Sequence, residues 1–209
     1  MTTALILCCS GNRRALVDEV ILPSCRREGF DEILVVGTHH DGPGYRYLHV
    51  PSVTGTTVDA LIKRDVGALA TEADVLVYLA DDHALAVGFG EDLKSLCANP
   101  DWDVAGPSRV TVRDGEVIRL NMGVGQGYIG GHGIVVRRRA LQILPWMAGR
   151  HSLVWDVDWS QEAMRRGTRA WAATDGFLVI EDVEPGAQPW LAYKVAPAPA
   201  VVAEGHTAE

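Results

Sequence analysis

Long apolar runs are missing from this 209-residue chain. None approaches the ~20 residues that a membrane-spanning helix needs, so no span is expected. The opening Met1-Thr2-Thr3-Ala4-Leu5-Ile6-Leu7-Cys8-Cys9 carries no basic residue, and its apolar stretch is too short for a secretory signal. It reads as a first strand, and a cytoplasmic location is expected. Cysteine is scarce. Cys8, Cys9, Cys25 and Cys97 match no zinc spacing, and an adjacent pair suits a disulfide framework badly, so buried free thiols are expected. Positive charge is short as well: 19 Lys and Arg against 27 Asp and Glu leave a net charge of −8. That balance speaks against a coat that binds nucleic acid by neutralising phosphates. There is no internal repeat and no clear linker, and the length suits one domain with a substantial core.

What the chain does have is alternation of strand and helix. Ala4 to Cys9 is apolar and ends in the turn Ser10-Gly11-Asn12. A helix follows with Leu16, Val17, Val20 and Ile21 at helical spacing. Glu32 to Val36 is a second strand, leading into the polar loop Gly37-Thr38-His39-His40-Asp41-Gly42, and Tyr47 to Val50 is a third. The helix from about Thr56 to Thr71 sets Val58, Leu61, Ile62, Val66 and Leu69 on one stripe, with Lys63 and Arg64 on its exposed side. Asp74 to Ala80 is a buried central strand. This order predicts an α/β fold: a mixed, mostly parallel sheet flanked by helices.

After Pro100 the pattern changes. Asp114-Gly115 joins two strand-like runs as a hairpin. A glycine-rich stretch, Gly123 to Gly133, leads to a strand at Ile134 to Val136 and a helix from Arg138 to Met147. A further helix is expected from about Asp158 to Arg166, then strands near Arg169 to Ala173 and Phe177 to Ile180. From Val195 onward, Ala, Pro and Glu dominate without periodicity, which predicts a disordered tail over 195–209.

The most informative residues are Asp81 and Asp82, which end the run Val75-Leu76-Val77-Tyr78-Leu79-Ala80. The carboxyl edge of an open sheet is where α/β proteins bind ligands. Two carboxylates so close repel unless a cation or donors lie between them. The economical reading is a site for a divalent metal and a nucleotide phosphate. The glycine-rich stretch is not a phosphate loop, because it lacks the strand-then-helix setting and the Lys-Ser/Thr ending.

The order of these pieces resembles the A-type glycosyltransferase fold, the nucleotide-diphospho-sugar transferase architecture, and in particular small family-2-like sugar transferases. Cys9-Ser10-Gly11-Asn12-Arg13 resembles the loop that meets the nucleotide base and ribose. Lys63-Arg64-Asp65 stands where these enzymes often carry an Arg-Asn pair. Leu79-Ala80-Asp81-Asp82-His83 resembles their Asp-x-Asp signature, with Ala80 at the first acidic position. Trp155-Asp156-Val157-Asp158, followed by Arg165-Arg166-Gly167, resembles the acidic motif that opens the helix of the catalytic base. The histidine common after the last strand is replaced by Glu181-Asp182. The resemblance spans roughly Ala4 to Asp182 and implies one domain over 1–194, with a nucleotide-binding half (1–100) and an acceptor half (101–194).

It also implies a reaction. A metal-dependent glycosyltransferase would move a sugar from a nucleotide-sugar donor, a UDP-sugar being favoured, to a hydroxyl acceptor. Mn²⁺ or Mg²⁺ would neutralise the leaving diphosphate. Asp82 is then the direct metal ligand, His83 a second candidate ligand or a polar loop histidine, and Asp81 a ribose or metal-water partner. Ser10, Asn12, Arg13, Arg14 and Asp65 are the candidate nucleotide contacts. Asp156 and Asp158 compete as the base. Asp158-x-x-Gln161 reads as a capping box, which leaves Asp156 ahead of the helix as the expected base in an inverting displacement. Arg137-Arg138-Arg139 reads as a solvated helix start or as a receptor for an anionic acceptor. Trp155 and Trp159 flank the motif, as sugar-stacking faces or as core. The acceptor stays open between a small molecule, a glycan and, with no support from the charge balance, modified nucleic acid. The alternatives are a nucleotidyltransferase, or a noncatalytic sugar-nucleotide or glycan-binding module on the same fold.

Overall fold

Four segments of the amino-terminal half become adjacent parallel strands: β1 (Thr3–Cys9), β2 (Glu32–Gly37), β3 (Arg46–His49) and β4 (Val75–Ala80). The computed structural model describes residues 1–53, 57–113, 116–121, 124–125, 128–129, 133–149, 155–172, 178–181 and 183. The expected turn at Asp114-Gly115, part of the glycine-rich stretch, Asp182 and the tail from Val195 lie outside them. β1 crosses to β2 through α1 (Arg14–Leu16), a π-helical stretch (Val17–Ile21) and α2 (Leu22–Arg27). β3 crosses to β4 through α3 (Thr57–Leu69).

The chain continues through β5 (Ala84–Leu85), α4 (Phe89–Ala98), β6 (Val104–Gly106), β7 (Ser108–Arg113), β8 (Glu116–Asn121), β9 (Val124–Gly125) and β10 (Tyr128–Ile129). It ends in β11 (Val135–Arg137), α5 (Arg138–Ile143), a 3₁₀ turn (Trp146–Gly149), α6 (Trp155–Arg165), β12 (Ala170–Ala172) and β13 (Leu178–Glu181). The main sheet has seven strands in the order β12-β6-β11-β4-β1-β2-β3, with β11 alone antiparallel to its neighbours. The expected mixed, mostly parallel sheet flanked by helices is what forms. A smaller sheet, β5-β13-β7-β8, and the pair β10-β9 complete the strand pairing among the described residues. No described helix is long and apolar enough to cross a membrane.

Strand alternation divides the core between the two faces. Leu5, Leu7, Val35, Val75, Val77 and Leu79 pack with the first crossover helices and α4. Ala4, Ile6, Leu34, Val36, Leu76 and Tyr78 pack with α3, Trp146 and Trp159.

Three local expectations are corrected. α3 does not bury the proposed stripe: Leu69 is 85% exposed, and the buried set is Asp59, Leu61, Lys63, Arg64, Gly67 and Ala68. Its contact with the sheet is made at Gly67, where a Cβ would lie 2.5 Å from Ile6 Cγ2. The helix expected to reach Met147 stops at Ile143, because Leu144 precedes Pro145 and is held extended at φ −148°, ψ 103°. α6 starts at Trp155, not Asp158, so Asp158 sits inside the first turn and is no N-cap.

Candidate functional site

The β1–β4 junction is the topological switch point of the main sheet. β1 lies between β2 and β4, so the crossovers on its two sides diverge and leave a crevice at the strands' carboxyl ends. Register pairs Cys8 with Ala80, which sets the loop after β1 directly beside Asp81 and Asp82. Gly11, at φ +94°, makes the turn.

Asp81 is 5% exposed and its carboxylate is fully engaged. Oδ2 accepts the Ser10 backbone N–H and the Ser10 hydroxyl, each at 2.6 Å, and Oδ1 accepts from Arg13 at 3.0 Å. The same Arg13 nitrogen lies 2.9 Å from Asp82 Oδ2, so one guanidinium bridges both carboxylates. Asp82 Oδ1 accepts from the buried His83 ring through Nδ1. A cationic donor thus sits where two adjacent carboxylates would otherwise repel. The Val183 N–H donates to the Asp82 carbonyl at 3.0 Å, bringing the chain after β13 against this loop. That contact was not legible in sequence.

Ser10, Arg13, Asp81, Asp82 and His83 are therefore brought together. Asn12 lies exposed on the adjoining turn and Arg14 lies exposed at the start of α1. Asp65 stands apart: its carboxylate accepts the Trp146 and Met147 backbone N–H groups at 2.9 Å each, capping the 3₁₀ turn. Burial pushes the Asp65 carboxyl up, against those two hydrogen bonds. It also lines a cavity of about 380 Å³ with Leu69, Arg138 and Leu141. Asp156 and Asp158 both fall in the first turn of α6, where two-residue spacing sends them to opposite sides. Asp156 is half-buried and Asp158 is exposed.

Two cations of α3 expected on its exposed side are buried instead. Lys63 and Arg64 are each 4% exposed. Lys63 Nζ donates to Ser52 Oγ at 2.8 Å. The Arg64 guanidinium lies 5.6 Å from the Tyr78 ring centroid and 5.1 Å from that of Trp146, a desolvated cation–π arrangement. Burial lowers its pKa, while negative charge at Asp156 and Asp65 opposes the shift. The missed signal was a basic pair on the inner face of α3, flanked in the same helix by Asp59 and Asp65.

Other candidates resolve into structure. Arg137 donates to the Asn99 carbonyl at 2.8 Å and stacks on Trp102. Arg138 donates to the carbonyls of Ala68, Thr71 and Ala73, closing the end of α3, and Arg139 pairs with Asp103. The triple arginine is not a solvated start. Trp159 is buried and stacked on Trp146 at 4.1 Å. The four cysteines are free thiols; burial pushes Cys8 up to about 11 and Cys9 further, so neither offers a thiolate at the cleft.

No family model matches the sequence, and no curated protein matches it. Solved structures do. S. aureus TarS superposes with a TM-score of 0.66 at 14% identity, over 88% of this chain and 37% of that one. TarS residues 1–349 in complex with UDP-GlcNAc gives 0.63 at 14% identity, over 92% and 62%. The mannosyltransferase PcManGT from Pyrobaculum calidifontis, in complex with GDP-Man and Mn²⁺, gives 0.61 at 13% identity, over 88% and 58%. The chain spans between about a third and two-thirds of the length of these proteins. It carries the fold of the A-type nucleotide-sugar glycosyltransferases.

Proposed function

We propose that the chain transfers a sugar from a nucleotide-sugar donor, a UDP-sugar being favoured, to a hydroxyl acceptor, with Mn²⁺ or Mg²⁺ at Asp82. The observation that carries this reading is the Asp81–Asp82 pair at the β1–β4 switch point, bridged by Arg13. The complexes of the similar proteins with UDP-GlcNAc and with GDP-Man and Mn²⁺ support the donor class and the metal.

The residues present fit a hard cation. Asp82 is 23% exposed and already faces a positive charge, and Mg²⁺-type sites need only one or two carboxylates when phosphate oxygens complete the shell. Asp82 would hold the ion, with His83 beside it. When bound, the ion neutralises the leaving diphosphate.

The chain's own groups supply the remainder. Asp81, locked by Ser10, fixes the loop, and its Oδ1 would meet the ribose or water on the ion once Arg13 turns to the phosphates. Arg13 passes from the carboxylates to the incoming phosphates, which its planar fork matches. Asp156 takes the proton of the acceptor hydroxyl as that oxygen attacks the anomeric carbon, giving inversion. Arg64 sets positive charge beneath Asp156. Asp158, on the exposed side, is the weaker base candidate, and Asn12 and Arg14 are placed to meet the donor at the rim.

A second reading has two observations in its favour. Arg13 already bridges both carboxylates and Ala80 replaces the first acid of the signature, as suits a module that binds donor without turnover.

The test is calorimetric titration of nucleotides and nucleotide sugars, with and without Mn²⁺, against the wild type and Asp82→Ala, followed by assay of nucleoside diphosphate release. Metal-dependent binding lost in Asp82→Ala, with diphosphate released to an acceptor, supports transfer. Binding without release across an acceptor panel supports the module. Pyrophosphate release from a nucleoside triphosphate would move the assignment to a nucleotidyltransferase. Absence of binding overturns the donor site.

A further inference from the structure

We propose that Asp18, His39 and His40 form a second metal site, selective for a borderline transition cation such as Zn²⁺ and separate from the hard-cation position at Asp82. The three side chains come from two elements. Asp18 lies in the π-helical stretch Val17–Ile21, and the two histidines lie in the loop after β2. Their ligand atoms all fall within 4.8 Å of one another. His39 Nε2 is 3.1 Å from Asp18 Oδ1, and His40 Nε2 is 3.6 Å from Asp18 Oδ2. Zinc bonds of ~2.0–2.2 Å place tetrahedral ligand atoms roughly 3.4 Å apart, so modest closure of the two rings completes a three-ligand set.

Two observations direct the donors to one place. His39 is 5% exposed and its ring is held through Nε2, so the nitrogen that would bind an ion already faces the Asp18 carboxylate and the second imidazole. The π-helical register is the second: such stretches are rare and often mark functional sites, and this one carries Asp18. Asp18 and His40 are 38% and 48% exposed along their side chains, so the ion has a route in and room for water in its remaining positions.

Ligand chemistry separates the two sites. Two imidazoles select Zn²⁺, Co²⁺ or Ni²⁺, whereas the carboxylates at Asp82 suit Mn²⁺ or Mg²⁺. The consequence is mechanical. The loop after β2 packs on the loop after β1, where a Cβ on Gly11 would lie 2.9 Å from Thr38 Cγ2. An ion on Asp18, His39 and His40 ties the first helix to that loop and stiffens the cleft wall beside Ser10.

The experiment is titration of Zn²⁺, then Co²⁺, into the metal-stripped full-length chain carrying Asp82→Asn, without nucleotide. One equivalent of Zn²⁺ should bind and raise the melting temperature, and Co²⁺ should give visible bands of low-symmetry coordination. His40→Ala, at an exposed position, should weaken Zn²⁺ by at least roughly tenfold with melting in chelator unchanged, and Asp18→Asn should weaken Zn²⁺ by a similar factor. Binding that persists in both variants, or no binding in the parent, overturns the site. Because no nucleotide is present, failure here is distinguishable from failure of the donor reading.

Discussion

Arg13 serves two acids at once, and its removal separates what each needs. Without the guanidinium, Asp81 keeps both Ser10 donors and Asp82 keeps His83, but the two carboxylates lose the cation that they share. Arg13 is 46% exposed along its side chain, so Arg13→Ala should cost only about 1 kcal/mol. Mn²⁺ should raise the variant's melting temperature more than the wild type's, read by calorimetry in parallel. Equal shifts would show that the two acids do not share a cation. Asp81→Asn is the harsher change. The Ser10 N–H and hydroxyl both donate to Oδ2, and an amide group there cannot accept both and still satisfy Arg13. A loss of about 2–3 kcal/mol is expected from urea unfolding, with no recovery on adding metal. The paired acids were legible in the sequence because an unbroken apolar run stops dead at them. Lys63 and Arg64 were not, because basic residues on a helix ordinarily face water, and the Tyr78 and Trp146 rings that receive the buried guanidinium lie far away in sequence.

At the scale of the element, close approach overrides propensity. α3 meets β1 at Gly67, above Ile6. Alanine is a better helix former than glycine by about 1 kcal/mol, which alone would make Gly67→Ala stabilising. The added Cβ would lie 2.5 Å from Ile6 Cγ2, in a core that yields little. Overpacking of this kind costs about 1–3 kcal/mol, so a net loss is expected in the urea midpoint; a gain would mean that Ile6 has a free rotamer. Ile6→Val in the same background should recover part of the loss. The same geometry explains which elements a sequence reading recovers. β1, β2 and β4 announce themselves by apolar runs, whereas β3 is the short, half-buried Arg46-Tyr47-Leu48-His49. Gly88 and Gly90 mask the start of α4 in the sequence, yet Gly90 is there for packing: a Cβ would fall 2.0 Å from the Glu28 carbonyl. α6 was entered three residues late because Asp158 and Gln161 imitate a cap.

For the whole molecule, the acid limit of stability falls on the carboxylates that join distant segments. Asp103 is the clearest. It is 4% exposed and accepts the Arg169 N–H at 2.8 Å and the Arg139 guanidinium, so it fastens β6 to α5 and to the approach to β12. Burial alone would raise its pKa, but these donors bring it below 3.8. Asp31 and Asp74 are lowered too, by the Thr3 and Thr2 N–H groups, and fasten the start of β1 to its neighbours. A carboxyl whose folded pKa is depressed contributes stability that is complete above the unfolded value and lost as pH falls through the folded value. Asp65 acts in the opposite sense: its raised pKa gives stability below 3.8 that is lost as pH climbs through the folded value. The net curve therefore mixes signs, and a single variant resolves it. Asp103→Asn should cost about 2–3 kcal/mol at pH 7, because the amide cannot accept from both Arg169 and Arg139. That difference should narrow steadily below pH 3.8, since the wild type then protonates the same group. Urea midpoints at pH 7, 5 and 3 would show the convergence. A difference independent of pH would mean that Asp103 acts through shape alone and that acid sensitivity resides at Asp31 and Asp74, where the first strand is tied in.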